Sequence, residues 1–298
     1  MQLNGVTIDD TFAEAFGMKA TRIIITAINE RWARQAAETM TGFATSVIGC
    51  GVEAGLERLL PADETPDGRP GVSVLLFGMS GKELARQLET RIGQCVLTCP
   101  TTAVFAGMQG DEPLPVGKNL RYFGDGYQIS KLIGGKRFWR IPVMDGEFLA
   151  EEHTGRCKAV GGGNFLVLAT SSGQALAACE AAVDAMRQLP NIVLPFPGGI
   201  VRSGSKVGSK YKSLMASTNE AYCPTLRGLV ASEIDDSVGS VMEIVVNGIA
   251  DTDVRDAMRA GIHATCAFGP DKGILRISAG NYGGKLGQYH FPLHEVLA

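Results

Sequence analysis

The sequence predicts an α+β fold of two lobes, each a duplicated ferredoxin-like (split βαβ) unit with antiparallel or mixed sheets and helices. Three observations carry this expectation. A strand, helix, strand order occurs twice in each half of the chain. Leu84, Leu88 and Ile92, spaced by four, recur 170 residues later as Val254, Met258 and Ile262, and Gly78 recurs as Gly248. A polar middle stretch, roughly 107–163, separates the two series. The lobes are drawn at residues 1–145 and 146–298.

The elements follow in order. Arg22-Ile-Ile-Ile-Thr-Ala27 is rich in β-branched residues and reads as a strand. Residues 29–40 read as a helix, with Trp32, Ala36 and Met40 on one face. Residues 43–48 read as the returning strand. Residues 72–77 are the next strand, and Ser80-Gly-Lys-Glu83 is a capping box that opens the helix bearing Leu84, Leu88 and Ile92. Residues 95–98 close this series as a strand. The second half repeats the order with a strand at 164–169, a helix at 173–189 and strands at 192–194 and 241–246. A helix capped near Asp251 and a strand at 273–277 complete it. Gly134-Gly135, within the polar middle, marks a hairpin.

Composition narrows the function classes. The 298 residues are 45% hydrophobic and 20% charged, a globular balance that builds a sizeable core. A net charge of −3 gives no footprint of nucleic-acid binding. No basic start with an apolar run opens the chain, and no apolar run reaches the roughly 18 residues of a membrane span, so neither a secretory signal nor a membrane partner is expected. Seven cysteines, an odd number without a Cys-x-x-Cys, read as buried reduced thiols. Of the four histidines, His290 and His294 are four apart, but Pro292 stands between them. No metal site is expected, and Ser-His-Asp or Cys-His catalysis is disfavoured.

Two glycine-rich segments stand out. They run Pro195-Phe-Pro-Gly-Gly-Ile-Val-Arg-Ser-Gly-Ser-Lys-Val-Gly-Ser-Lys210 and Ile277-Ser-Ala-Gly-Asn-Tyr-Gly-Gly-Lys-Leu-Gly287. Glycines allow close backbone approach, and the interleaved hydroxyl, amide and ammonium donors suit an anionic or carbonyl-rich ligand. Ordinary tight turns explain the glycines equally well. Neither segment has phosphate-loop spacing, which counts against a nucleotide-binding α/β protein. Arg202, Lys206, Lys210 and Lys212 are either a solvated basic loop or a clamp for a polyanion. Glu243 interrupts an otherwise apolar run, Val241 to Val246. Strand alternation alone would point it to water, whereas apolar neighbours on both sides suggest a covered strand.

The chain resembles the formylmethanofuran:tetrahydromethanopterin formyltransferases over nearly its whole length. The resemblance rests on both glycine-rich segments, on Asn4-Gly-Val-Thr-Ile-Asp-Asp-Thr-Phe-Ala-Glu-Ala-Phe16 and on Glu64-Thr-Pro-Asp-Gly-Arg-Pro-Gly71. It rests also on Phe123-Gly-Asp-Gly-Tyr-Gln128 and Ala216-Ser-Thr-Asn-Glu-Ala-Tyr-Cys-Pro-Thr225. It implies a cytoplasmic enzyme that moves a formyl group reversibly between a methanofuran-type or methylofuran-type amine carrier and tetrahydromethanopterin, with no bound cofactor or metal. It implies a homo-oligomer, tetramer or dimer, and in a bacterial host docking to subunits of a formyltransferase/hydrolase complex. The modest net charge leans toward the bacterial form. Glu243 matches the position of the family's proposed acid. Gly198, Gly199, Lys206, Ser209, Lys210, Asn281, Tyr282 and Lys285 are the expected substrate contacts, with the Asn281 amide a candidate donor to a developing oxyanion. The alternative is a family-like subunit that binds carriers and organises a complex without doing chemistry.

Overall fold

The computed structural model describes residues 1–110 and 112–298. In chain order its main elements are β1 (Val6–Ile8), β2 (Phe12–Thr26), α1 (Glu30–Thr41), β3 (Glu53–Leu60), β4 (Gly71–Gly78), α2 (Gly81–Arg91) and β5 (Ala103–Ala106). There follow β6 (Ile129–Ile133), β7 (Lys136–Val143), β8 (Gly146–Glu151), β9 (His153–Ala169), α3 (Ser172–Met186) and β10 (Ile192–Val193). Last come β11 (Ser240–Gly248), α4 (Asp251–Cys266), β12 (Ile274–Ser278) and β13 (Tyr289–Pro292). The fold is mixed α+β.

The chain forms two compact units, Met18–Ala159 and a split unit of Met1–Gly17 with Val160–Ala298. This differs from the expected boundary at 145/146. The long strands β2 and β9 each pass from one unit into the other, so no cut at a single loop separates them.

In the Met18–Ala159 unit, β3, β4, β2 and β5 lie side by side in that order, all antiparallel. β8 adds parallel to β5, and β7 and β6 extend the sheet. The β6–β7 hairpin turns at the expected Gly134-Gly135, pairing Ile133 with Lys136. Asn29 caps α1 by accepting from the Trp32 N–H at 3.2 Å. At α2 only half of the expected capping box forms. Ser80 Oγ accepts from the Glu83 N–H at 3.2 Å, but the Glu83 carboxylate turns along the helix to Arg86 and Gln87. Leu84, Leu88 and Ile92 bury against Val74 and Leu76 of β4.

Two strands expected in this unit are corrected. Residues 43–48 do not form a strand; Ser46 caps the short helix Val47–Cys50, and the strand begins at Glu53. Phe43 and Ile48 are exposed, so their apolarity carried no pairing information. Residues 95–98 are not a strand either. Val96 continues the stripe of Leu84, Leu88 and Ile92, the helix runs on as a π-turn over Ile92–Val96, and the strand waits until Ala103.

In the split unit β10, β11, β9 and β12 lie side by side, again antiparallel, and β1 adds parallel to β12. Helices α3 and α4 cover one face, where Phe165, Val167, Ile244 and Val246 meet Cys179, Val183, Val254 and Met258. Asp253 caps α4 by accepting from the Ala250 N–H at 2.8 Å. The other face carries Leu166 and Leu168 and is covered by the segment between β10 and β11, through Tyr222, Ile234 and Val238. Of the seven cysteines, all free, only Cys179 and Cys266 are buried and the rest are partly exposed, a correction to the expected burial.

Candidate active site

The site grows out of strand β11. Ile244 and Val246 face the helices, so alternation sends Glu243 to the opposite face. There Glu243 stands beside Leu166 in the register of β9, and cross-strand partners share a face. Alternation is thus obeyed, yet the side chain is only partly exposed, because the 194–239 segment lies over this face. That segment is stitched to the strand at the acid itself. The Val201 N–H donates to the Glu243 carbonyl at 2.7 Å, and the Glu243 N–H donates to the Val201 carbonyl at 2.9 Å. The turn before it, Pro197–Gly199, needs glycine. Gly199 has φ +88°, and a Cβ there would lie 2.9 Å from Val183.

A small cleft opens beside Glu243. Asn164 and Leu166 of β9, Met242 and Glu243 of β11, Arg202 and Ser205 of the covering segment, and Tyr282 after β12 are among its walls. The Glu243 carboxyl has no hydrogen-bond or ion-pair partner among the described residues. It is partly accessible through the cleft mouth but densely surrounded by protein, and the loss of hydration raises its pKa from 4.5 to about 7. The Tyr282 hydroxyl reaches the same space. Desolvation raises its pKa most strongly, a hydrogen bond with Ser205 opposes this, and the negative charges of Glu243 and Glu14 add to the rise. Tyr222 hydrogen-bonds Ser278 at 3.2 Å on another wall. Asn164 secures the turn after β12, accepting from the Gly280 N–H at 2.6 Å and donating to the Gly280 carbonyl at 3.1 Å.

An unpaired carboxyl raised to about 7 and a phenol facing one cleft suit proton transfer beside a polar carbonyl centre. Among the described residues no group of three His, Cys, Asp or Glu side chains is placed to hold a metal ion.

The family model described as formylmethanofuran-tetrahydromethanopterin formyltransferase matches residues 1–143, and the model of its proximal lobe matches residues 146–296. The chain belongs to this family. Formylmethanofuran–tetrahydromethanopterin formyltransferases from Methylococcus capsulatus and Methylobacillus flagellatus are 68% and 67% identical to it, each match covering 100% of both chains. The crystal structure of the formyltransferase/hydrolase complex from Methylorubrum extorquens with methylofuran contains a chain of TM-score 0.98 and 50% identity. That match covers 100% of this chain and 99% of that one.

Within this formyltransferase, the expected contacts divide. Glu243 and Tyr282 line the cleft together. Gly198 and Gly199 form the turn behind it rather than its wall. Lys206 is tied to Glu220 in an ion pair on the short hairpin Lys206–Val207 and Ala216–Ser217. Ser209 accepts from the Tyr211 N–H at 3.0 Å, and Lys210 is exposed beside it. The Asn281 amide donates to Thr11 Oγ1 at 3.1 Å and to the Phe12 carbonyl at 3.3 Å, so those N–H groups serve the start of β2. Lys285 is exposed at the tip of the same loop.

Sequence reasoning missed Arg202 and Ser205 as cleft walls, although both lie in the flagged glycine-rich segment. It missed Glu14 altogether. The available signal was a lone acid among Phe12, Ala13, Ala15 and Phe16.

Proposed function

We propose that this chain transfers a formyl group reversibly between a furan-type amine carrier and N5 of tetrahydromethanopterin, with Glu243 as general acid and base. The observation that carries the reading is the unpaired Glu243 carboxyl, with its pKa raised to about 7, on the wall of an open cleft. Formamides are poor acyl donors, and an amine leaves well only once protonated. The pterin secondary amine attacks the formyl carbon, forming the new C–N bond and a tetrahedral oxyanion. Glu243 protonates the furan-carrier nitrogen as the old C–N bond breaks, and its carboxylate then takes the proton from the pterin nitrogen. The proton count balances, and the acid is restored for transfer in either direction. Tyr282 replaces Asn281 as the donor to the oxyanion, because the Asn281 amide is already engaged.

Family membership supports the carriers, and the Methylorubrum complex with methylofuran supports docking of this chain to hydrolase-complex subunits. We place the enzyme in the cytoplasm as a homo-oligomer, tetramer or dimer. Among the described residues no helix is long and apolar enough to cross a membrane. The shared order of four antiparallel strands and two helices in each unit supports two ferredoxin-like lobes made by duplication. The two family-model matches, over residues 1–143 and 146–296, support a lobe boundary near 145/146.

Carrier-dependent formyl transfer by the purified chain tests the proposal. Glu243→Gln is expected to bind both carriers yet lose about 10²–10⁴ in kcat in both directions. A glutamine variant with near-wild-type kcat would remove the acid and favour a carrier-binding scaffold subunit.

A further inference from the structure

Glu14 belongs to the split unit, on the β2 strand, and is almost wholly buried. It lies outside the cleft lining. Its Oε2 accepts from the Tyr282 and Gly284 N–H groups at 2.7 and 2.8 Å, and its Oε1 from those of Leu286 and Gly287 at 2.6 Å each. Four backbone donors of one loop thus converge on one carboxylate. An ionised carboxyl offers two oxygens and about four lone-pair sites, so the match is complete. An amide offers one oxygen and would turn an NH2 group against two of the donors. The loop is shaped to permit this convergence. Gly283 and Gly284 take φ of +78° and +71°, and at Gly287 a Cβ would lie 2.4 Å from the Ala15 carbonyl oxygen.

Tyr282 is the loop residue that reaches the cleft. Its backbone N–H is held by Glu14, and its ring leans on Phe16, two residues along the same strand, with centroids 5.9 Å apart. Its hydroxyl meets Ser205 on the facing wall. We infer that Glu14 is a positioning residue: by gathering the 282–287 backbone amides it fixes the Tyr282 phenol opposite Glu243, where it meets the oxyanion of the transferred formyl group. This rests on the formyl-transfer reading. The two glutamates divide the work by environment. Glu14, fully hydrogen-bonded, is the permanent anion that shapes the loop, while Glu243, unpaired, is the proton carrier.

A double-mutant cycle with hydrogen exchange tests the inference. In the wild-type enzyme the amides of Tyr282, Gly284, Leu286 and Gly287 should be protected although the loop lies at the surface. Glu14→Gln should release that protection while β11 stays protected. Its kcat should fall about 10–100-fold, as misplacement of a reacting group does, with KM for both carriers within about threefold. Tyr282→Phe should fall by a comparable factor, about 10²-fold, and the double variant should be no slower than the slower single one. Should Glu14→Gln fail to fold, Glu14→Asp keeps the charge but retracts it by one methylene, and the same non-additivity is expected. Multiplicative losses, or loop amides that exchange freely in the wild type, would overturn the role. Absence of formyl transfer by the wild type would instead sink the proposed reaction, while exchange still reported on the tether.

Discussion

At the scale of single residues, two glutamates of one unit are driven in opposite directions. Glu243 loses water and gains no partner, so its neutral form wins and its pKa rises to about 7. Burial of Glu14 raises its pKa too, but four backbone N–H bonds outweigh that and bring it to about 2. The consequences for stability have opposite signs. The native state holds a proton on Glu243 that the unfolded chain releases near 4.5. Stability is therefore lost as pH rises from about 4.5 through 7, and replacing the acid should restore it. Glu243→Gln is expected to stabilise the enzyme by about 1–3 kcal/mol at pH 8 and not at pH 4. Glu14 contributes stability above about 4.5 that fades as pH falls toward 2, so Glu14→Gln should cost about 2–3 kcal/mol at neutral pH and little near pH 2. Denaturant unfolding at several pH values measures both. Parallel pH dependence of the two variants would contradict this assignment of charge states.

At the scale of elements, the covering segment between β10 and β11 decides what the strand beneath it can do. The sequence was legible where a period existed. Leu84, Leu88 and Ile92 and their counterparts Val254, Met258 and Ile262 all bury as the four-residue spacing requires. It was misleading where apolar residues had no period, as at Phe43 and Ile48. The alternation of Glu243 was readable, but not the cover over it, because that cover is irregular chain docked through Val201, Tyr222 and Ile234. The four bonds to Glu14 were unreadable for a related reason, since their donors are backbone N–H groups far along the chain. The same segment carries the cations. Lys206 is paired with Glu220, whose charge also reaches Lys210, while Arg202, Lys210 and Lys212 have no direct ion pair among the described residues. Lys210 and Lys212 lie on the turn between the two short strands, exposed where they could clamp the glutamate tail that the family resemblance implies for the furan carrier. Lys210→Ala is expected to raise KM for a glutamate-tailed furan carrier about threefold to tenfold and to leave a truncated carrier unchanged, an effect that added salt should shrink. Equal changes for both carriers would mean a solvated basic loop.

At the scale of the whole molecule, the two halves share an order of elements but not a site. β3, β4, β2 and β5 repeat as β10, β11, β9 and β12, and the strand-end glycines Gly78 and Gly248 both lie under the first apolar residue of the next helix. The offset of 170 that aligns those helices places Ser73 where the second half has Glu243. Ser73 is buried and donates to Glu57 at 2.6 Å, and Glu57 in turn accepts from Arg22 at 2.6 and 2.7 Å. A serine and an ion-paired carboxylate occupy that position, and the link from β3 to β4, residues 61–70, is far shorter than the 194–239 segment. The two units share a frame, and of the two matched positions only the one under the long β10–β11 segment, Glu243, carries an unpaired acid. One furan carrier per chain is therefore expected in calorimetric titration of the wild type, and Glu243→Gln should keep that stoichiometry while losing turnover. Two carriers per chain of similar affinity would show that the Met18–Ala159 unit holds a binding site of its own despite lacking the acid.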